Sequence, residues 1–132
     1  MIDSDRLESI VREAGRIAND FWPGAGNQVK SWEKEPGSPV SDADLAVDAF
    51  LKRELGALLP SAGWLSEETG DAPERLNRDL IWLVEPIDGT RDFVRGRSGW
   101  CVSVALVSSG RPLIGMLCAP ARKEEWLGVA GK

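Results

Sequence analysis

Apolar residues recur every three or four positions at Leu7, Ile10, Val11, Ala14, Ile17, Ala18 and Phe21, the spacing of a single helix face. The pattern predicts an amphipathic helix from about residue 4 to 22, capped by Ser4 or Asp5, with Glu8 completing a capping box on Asp5. Pro23, Gly24 and Gly26 end it, and residues 30–39 read as strand or loop punctuated by Pro36, Gly37 and Pro39. A second stripe, Val47, Leu51, Leu55 and Leu58, predicts a helix that opens near Ser41 and stops before Pro60. At about 100° per residue, Asp44 falls inside that stripe. An acid there either points inward or compensates the helix dipole at the amino end.

The second half of the chain changes period. Residues 64–66 predict a short strand running into Glu67 and Glu68, and residues 81–84 a buried strand running into Glu85. Residues 100–107 and 112–117 flank Ser108-Ser109-Gly110-Arg111, the arrangement of a hairpin, and 126–130 supply a third strand. The fold class expected is α+β, with helices packed on a largely antiparallel sheet. No repeat or low-complexity segment interrupts the chain, and residues 1–132 read as a single domain.

Composition narrows the chemistry. With 16 basic and 21 acidic residues the formal charge is −5, which opposes a nucleic-acid backbone. There is no histidine, so Ser-His-Asp and Cys-His nucleophiles and His-ligated zinc are excluded, leaving carboxylates, hydroxyls and metal ions. Cys101 and Cys118 lack Cys-x-x-Cys spacing and read as buried strand residues of a reduced, intracellular protein. The acidic start and the absence of a run of ~20 apolar residues predict no membrane span and a cytoplasmic location. Six tryptophans read mainly as core, with Trp100 or Trp126 marking a subunit interface if exposed.

Glu67, Glu85 and Asp88 share one property, a place at the end of a predicted strand, where a rigid backbone holds an acid open to ligand. Magnesium prefers a few carboxylates, carbonyls, water and substrate phosphate; Glu85-Pro86-Ile87-Asp88 offers two acids with the Ile87 carbonyl between them. Gly89 permits close backbone approach, and a helix opening at Thr90 would present free N–H groups to a phosphate.

These residues resemble the inositol monophosphatase family of Mg²⁺-dependent, lithium-sensitive phosphatases. The likeness is carried by Glu85-Pro86-Ile87-Asp88-Gly89-Thr90-Arg91-Asp92-Phe93, by Ser66-Glu67-Glu68-Thr69 and by Val40-Ser41-Asp42-Ala43-Asp44, in the family's order and spacing. The resemblance implies a layered α/β sugar-phosphatase-like fold, of which this chain matches the amino-terminal half. It implies two or three Mg²⁺ ions held by Glu67, Glu85, the Ile87 carbonyl and Asp88, and phosphate held by Gly89 and Thr90. It also implies that Glu67 and Thr90 orient an attacking water, with Asp44 hydrogen-bonded to Thr90. A small phosphorylated metabolite is the implied substrate, and a homodimer the implied assembly. Two departures stand out: Glu85 occupies the position of a family Asp, and the family's Trp-Asp-x-Ala-Ala-Gly segment is not in the chain. The alternatives are a 3′(2′),5′-bisphosphate nucleotidase of the same family, suggested by Asp92 before Phe93, and a non-catalytic metal-binding or assembly module.

Overall fold

The computed structural model describes residues 2–68 and 78–131. Helix α1 spans Ser4–Asn19, and a short 3₁₀ turn at Pro23–Ala25 leads into a hairpin of β1 (Ser31–Glu35) and β2 (Ser38–Ser41). Helix α2 (Asp42–Leu58) is followed by β3 (Gly63–Ser66), β4 (Leu80–Asp88), the five-residue helix α3 (Thr90–Val94), β5 (Cys101–Ser108), β6 (Arg111–Ala119) and β7 (Glu124–Val129). The five later strands form one sheet in the order β3-β4-β5-β6-β7, parallel between β3 and β4 and antiparallel elsewhere.

The helical stripes pack where their spacing sends them. Leu7, Val11, Ala14 and Ala18 of α1, with Val47, Leu51 and Leu55 of α2, are fully buried against one face of the sheet. That face presents Trp82 and Val84 from β4, Val102, Val104 and Leu106 from β5, and Ile114 and Met116 from β6. At roughly 25 cal/mol per Å² of apolar surface removed from water, this layer supplies the main driving force for folding. The α+β arrangement expected from the period change is therefore the one observed.

Several boundaries differ from expectation, each for a local reason. The cap of α1 is Asp3, whose Oδ1 accepts the Arg6 N–H, so the helix starts at Ser4 without the Asp5–Glu8 box. It ends at Asn19; Phe21 and Trp22 continue the hydrophobic pattern from outside the helix and still pack on the core. Strand β4 does not stop at Val84 but runs through Asp88, and its burial alternates because the second face of the sheet carries no helix. Leu83 is accordingly 44% exposed between the buried Trp82 and Val84. Ser109 and Gly110 make the β5–β6 turn with φ of 49° and 80°, the primed geometry that a two-residue hairpin needs.

The cysteines are both free; Cys118 is buried on β6 and Cys101 only half-buried at the start of β5. Trp100 is core, edge-on to Phe93 with ring centroids 4.8 Å apart. Trp126 is exposed. No described helix is long and apolar enough to cross a membrane.

Candidate functional site

Strand β4 carries the central feature. Glu85 pairs with Ser103 and Asp88 with Cys101, so three steps along β4 match two along β5 and one extra residue is accommodated as a bulge. In a regular strand, residues three apart point to opposite faces. The bulge restores their parity, placing Glu85 and Asp88 together on the face without helices, while Pro86 and Ile87 are both buried. The two acids therefore belong to the last turn of the strand itself rather than to a loop after it.

Helix α2 holds the elements around this bulge. Ser41 caps the helix, its Oγ accepting the Asp44 N–H at 3.2 Å while Asp44 Oδ2 accepts the Ser41 N–H at 2.9 Å. The other oxygen, Oδ1, accepts the Thr90 hydroxyl at 2.9 Å; Thr90 Oγ1 also lies 3.2 Å from the Ile87 carbonyl. Asp44 is 3% exposed, as its place in the apolar stripe implies, and it caps its own helix as well. Burial pushes its carboxyl pKa up, opposed by the hydrogen bonds from Ser41 and Thr90. One turn later, buried Asp48 accepts the hydroxyl of Ser66, the last residue of β3. Two acids spaced i, i+4 on one helix thus grip the two segments that bear the candidate ligands. Asp48 was legible only as the next residue on the Asp44 face.

The β1–β2 hairpin closes the side. Lys34 Nζ donates to the Glu68 carboxylate at 2.6 Å and to the Glu67 carbonyl at 3.3 Å, and Arg91 Nη2 donates to the Gly37 carbonyl at 3.1 Å. Neither Lys34 nor Arg91 was a candidate from sequence, because both pairings join segments more than 30 residues apart. Thr69, the last residue of the Ser-Glu-Glu-Thr run, lies outside the described residues.

Asp44, Glu67, Glu85, Ile87, Asp88, Gly89 and Thr90 all line one cavity of about 630 Å³, together with Lys34, Glu68 and Arg91. Gly89 is required by geometry: its φ is 94°, and a Cβ there would lie 2.6 Å from the Gly99 carbonyl oxygen. Burial, then the negative charges of Asp88 and Glu67, push the Glu85 pKa up. Among the described residues no group of three or more Asp, Glu and Cys side chains is drawn together tightly enough to hold a metal ion alone. The acids are an open set facing a common space.

Residues 5–132 match the model of the inositol monophosphatase family. A histidinol-phosphatase of Mycobacterium tuberculosis is 40% identical over 95 residues, covering 72% of this chain and 36% of that protein. A 3′(2′),5′-bisphosphate nucleotidase CysQ of Salmonella typhimurium is 33% identical over 129 residues, covering 97% and 52%. Among solved structures, the extragenic suppressor protein suhB of Bartonella henselae superposes with a TM-score of 0.86 at 26% identity, covering 98% of this chain and 49% of that one. The chain spans about half the length, or less, of the relatives it matches.

Proposed function

The chain belongs to the inositol monophosphatase family, and from that premise we propose that residues 1–132 form the metal-binding domain of a Mg²⁺-dependent phosphomonoesterase acting on a small, inositol monophosphate-like ester. The observation that supports this best is the convergence of Glu67, Glu85, Asp88, the Ile87 residue and Thr90 on one cavity in a protein without histidine. Magnesium binds through one or two carboxylates and completes its shell with carbonyls, water and substrate phosphate. An open set of acids beside a backbone carbonyl fits that demand, whereas zinc favours His and Cys ligands and calcium takes about six to eight oxygens. When bound, two or three Mg²⁺ ions would acidify a water and neutralise charge on the phosphoryl and leaving oxygens.

The chain's own groups do the rest. With Asp44 Oδ1 accepting the Thr90 hydroxyl, the lone pairs of Thr90 Oγ1 are left to accept a hydrogen bond from the attacking water. Glu67 provides the second acceptor and so fixes the direction of attack. The N–H groups of Gly89 and Thr90 precede the first intrahelical donor, Phe93, and serve the substrate phosphate. Glu85 reaches the same space as Asp88 with one more methylene than the Asp that the family places there. A homodimer is the assembly that the family likeness favours.

Calorimetric titration of Mg²⁺ into the chain, with Glu67→Gln and Asp88→Asn as controls, tests the reading. Binding is expected in the parent chain and should disappear in both variants; equal titrations in all three, or none in any, would reject the site. A second reading, a 3′(2′),5′-bisphosphate nucleotidase, is favoured by Asp92 before Phe93 and by the likeness to CysQ over 97% of the chain. Phosphate release from inositol 1-phosphate against adenosine 3′,5′-bisphosphate separates the two.

A further inference from the structure

Two consecutive acids, Glu67 and Glu68, follow β3, and they are held differently. The ladder between β3 and β4 ends at the Ser66–Val84 pair, so Glu67 is the first residue beyond it and no rung of that ladder fixes its backbone. The Glu68 carboxylate accepts Lys34 Nζ at 2.6 Å, and its side chain is 5% exposed. Glu67 meets Lys34 only through its carbonyl, at 3.3 Å. Among the described residues its side chain enters no hydrogen bond or ion pair, and it stands exposed in the carboxylate cavity.

Asp48 lies behind this arrangement. It is buried on α2, one turn after Asp44, and accepts the hydroxyl of Ser66, which is buried as well. A serine hydroxyl has one proton and two lone pairs. With the proton committed to Asp48, Ser66 Oγ is left as an acceptor for the chain that follows, and the Glu68 N–H donates to it at 3.3 Å. That bond closes a tight serine turn across Glu67. Glu68 is thus tied at its N–H to Ser66 and at its carboxylate to Lys34, and the Glu67 side chain between these anchors enters the space it shares with Glu85 and Asp88.

We propose that Asp48 is a positioning residue: by holding the Ser66 hydroxyl it makes Glu67, rather than Glu68, the acid that reaches a divalent cation. The inference rests on the metal-site reading for one point, that Glu67 is a ligand. Asp48 does not line the carboxylate cavity, so its action is indirect. Groups that orient a metal ligand from behind typically change metal affinity about 10- to 100-fold when they are removed. Helix α2 then acts on the site twice, Asp44 through Thr90 at the Asp88 end and Asp48 through Ser66 at the Glu67 end. The roughly 6 Å of helix axis between the two acids helps to set how far apart those ends stand.

Calorimetric titration of Mg²⁺ into the 132-residue chain, into Asp48→Asn, Ser66→Ala and the double substitution provides the test, with Val47→Ala as a control in the apolar stripe of the same helix. Ser66→Ala should weaken binding by about tenfold or more. Asp48→Asn should weaken it less, because an amide oxygen still accepts, and the double substitution no more than Ser66→Ala alone. Val47→Ala should bind as the parent does, which separates positioning from lost stability. Amide exchange of the metal-free chain gives a second readout: the Glu68 N–H should exchange faster in Asp48→Asn and not in Val47→Ala. Parent-like affinity in both single variants, additive losses in the double one, an equal loss in Val47→Ala, or a Glu68 rate indifferent to Asp48→Asn would overturn the positioning role and leave the metal-site reading intact. A parent chain that takes up no Mg²⁺ would remove both.

Discussion

The two faces of the five-stranded sheet share the same backbone and differ in almost everything else. One buries Trp82, Val84, Val104 and Met116 under α1 and α2; the other exposes Leu83, Glu85, Leu117 and Trp126. The covered face holds the fold together, and its packing makes the strands rigid. The open face carries the candidate site, holding Glu85 and Asp88 together at the end of β4, where burial, then the charges of Asp88 and Glu67, push the Glu85 pKa up. Core residues and candidate ligands alternate along the same strands.

The sharpest way to break this division is to substitute neighbours on opposite faces. Trp82→Ala should cost about 3–5 kcal/mol, because it empties a buried site in the core between the sheet and the helices, and urea unfolding would measure it. A loss below about 1 kcal/mol would mean that the helices do not anchor the sheet.

Asp44 tests the joint between the helical layer and the candidate site, since it sits in α2 and accepts the Thr90 hydroxyl. Asp44→Asn should cost about 1–3 kcal/mol through weakened acceptance at Ser41 and Thr90. The pH dependence has a definite sign. Because burial raises the folded-state pKa of Asp44, the protonated form is favoured in the folded protein. Its stabilising contribution is fully present below the unfolded carboxylate pKa and is lost as pH rises through the raised folded value. The parent chain should therefore gain stability over Asp44→Asn as pH is lowered from neutrality. A parallel pair of pH–stability curves would show that the carboxyl is not perturbed.

Leu83→Ala should give the smallest effect, below about 1 kcal/mol, since the side chain is already half in water. A larger loss by the same urea assay would show that the open face is covered in solution.

Most of the architecture was readable before the structure. The stripes of α1 and α2 place most of the buried helical residues but not Gly15, Ala43 or Asp48, and the hairpin turn at Ser109-Gly110 follows from its residues. The motif around Glu85-Pro86-Ile87-Asp88-Gly89-Thr90 points to the family, and helical spacing sets Asp44 within the apolar stripe. Less was legible at the site. Lys34 and Arg91 reach it through pairings that carry no local pattern. A proline between acids reads locally as a strand terminus, whereas β4 continues through Asp88.

The sequence by itself determined which residues are apolar at which period, where the helices start and stop within a few residues, and which acids are available. Only the tertiary structure decided which of those acids face one another. A strand side chain has two directions, and which one it takes after Pro86 depends on pairing with β5, where one extra residue in β4 reverses the alternation and sets Asp88 beside Glu85. Glu67 joins them because β3 pairs in parallel with β4, so that both strands deliver their acids to the same end of the sheet. Hydrogen bonds between distant segments set that register, and local periodicity carries no information about them.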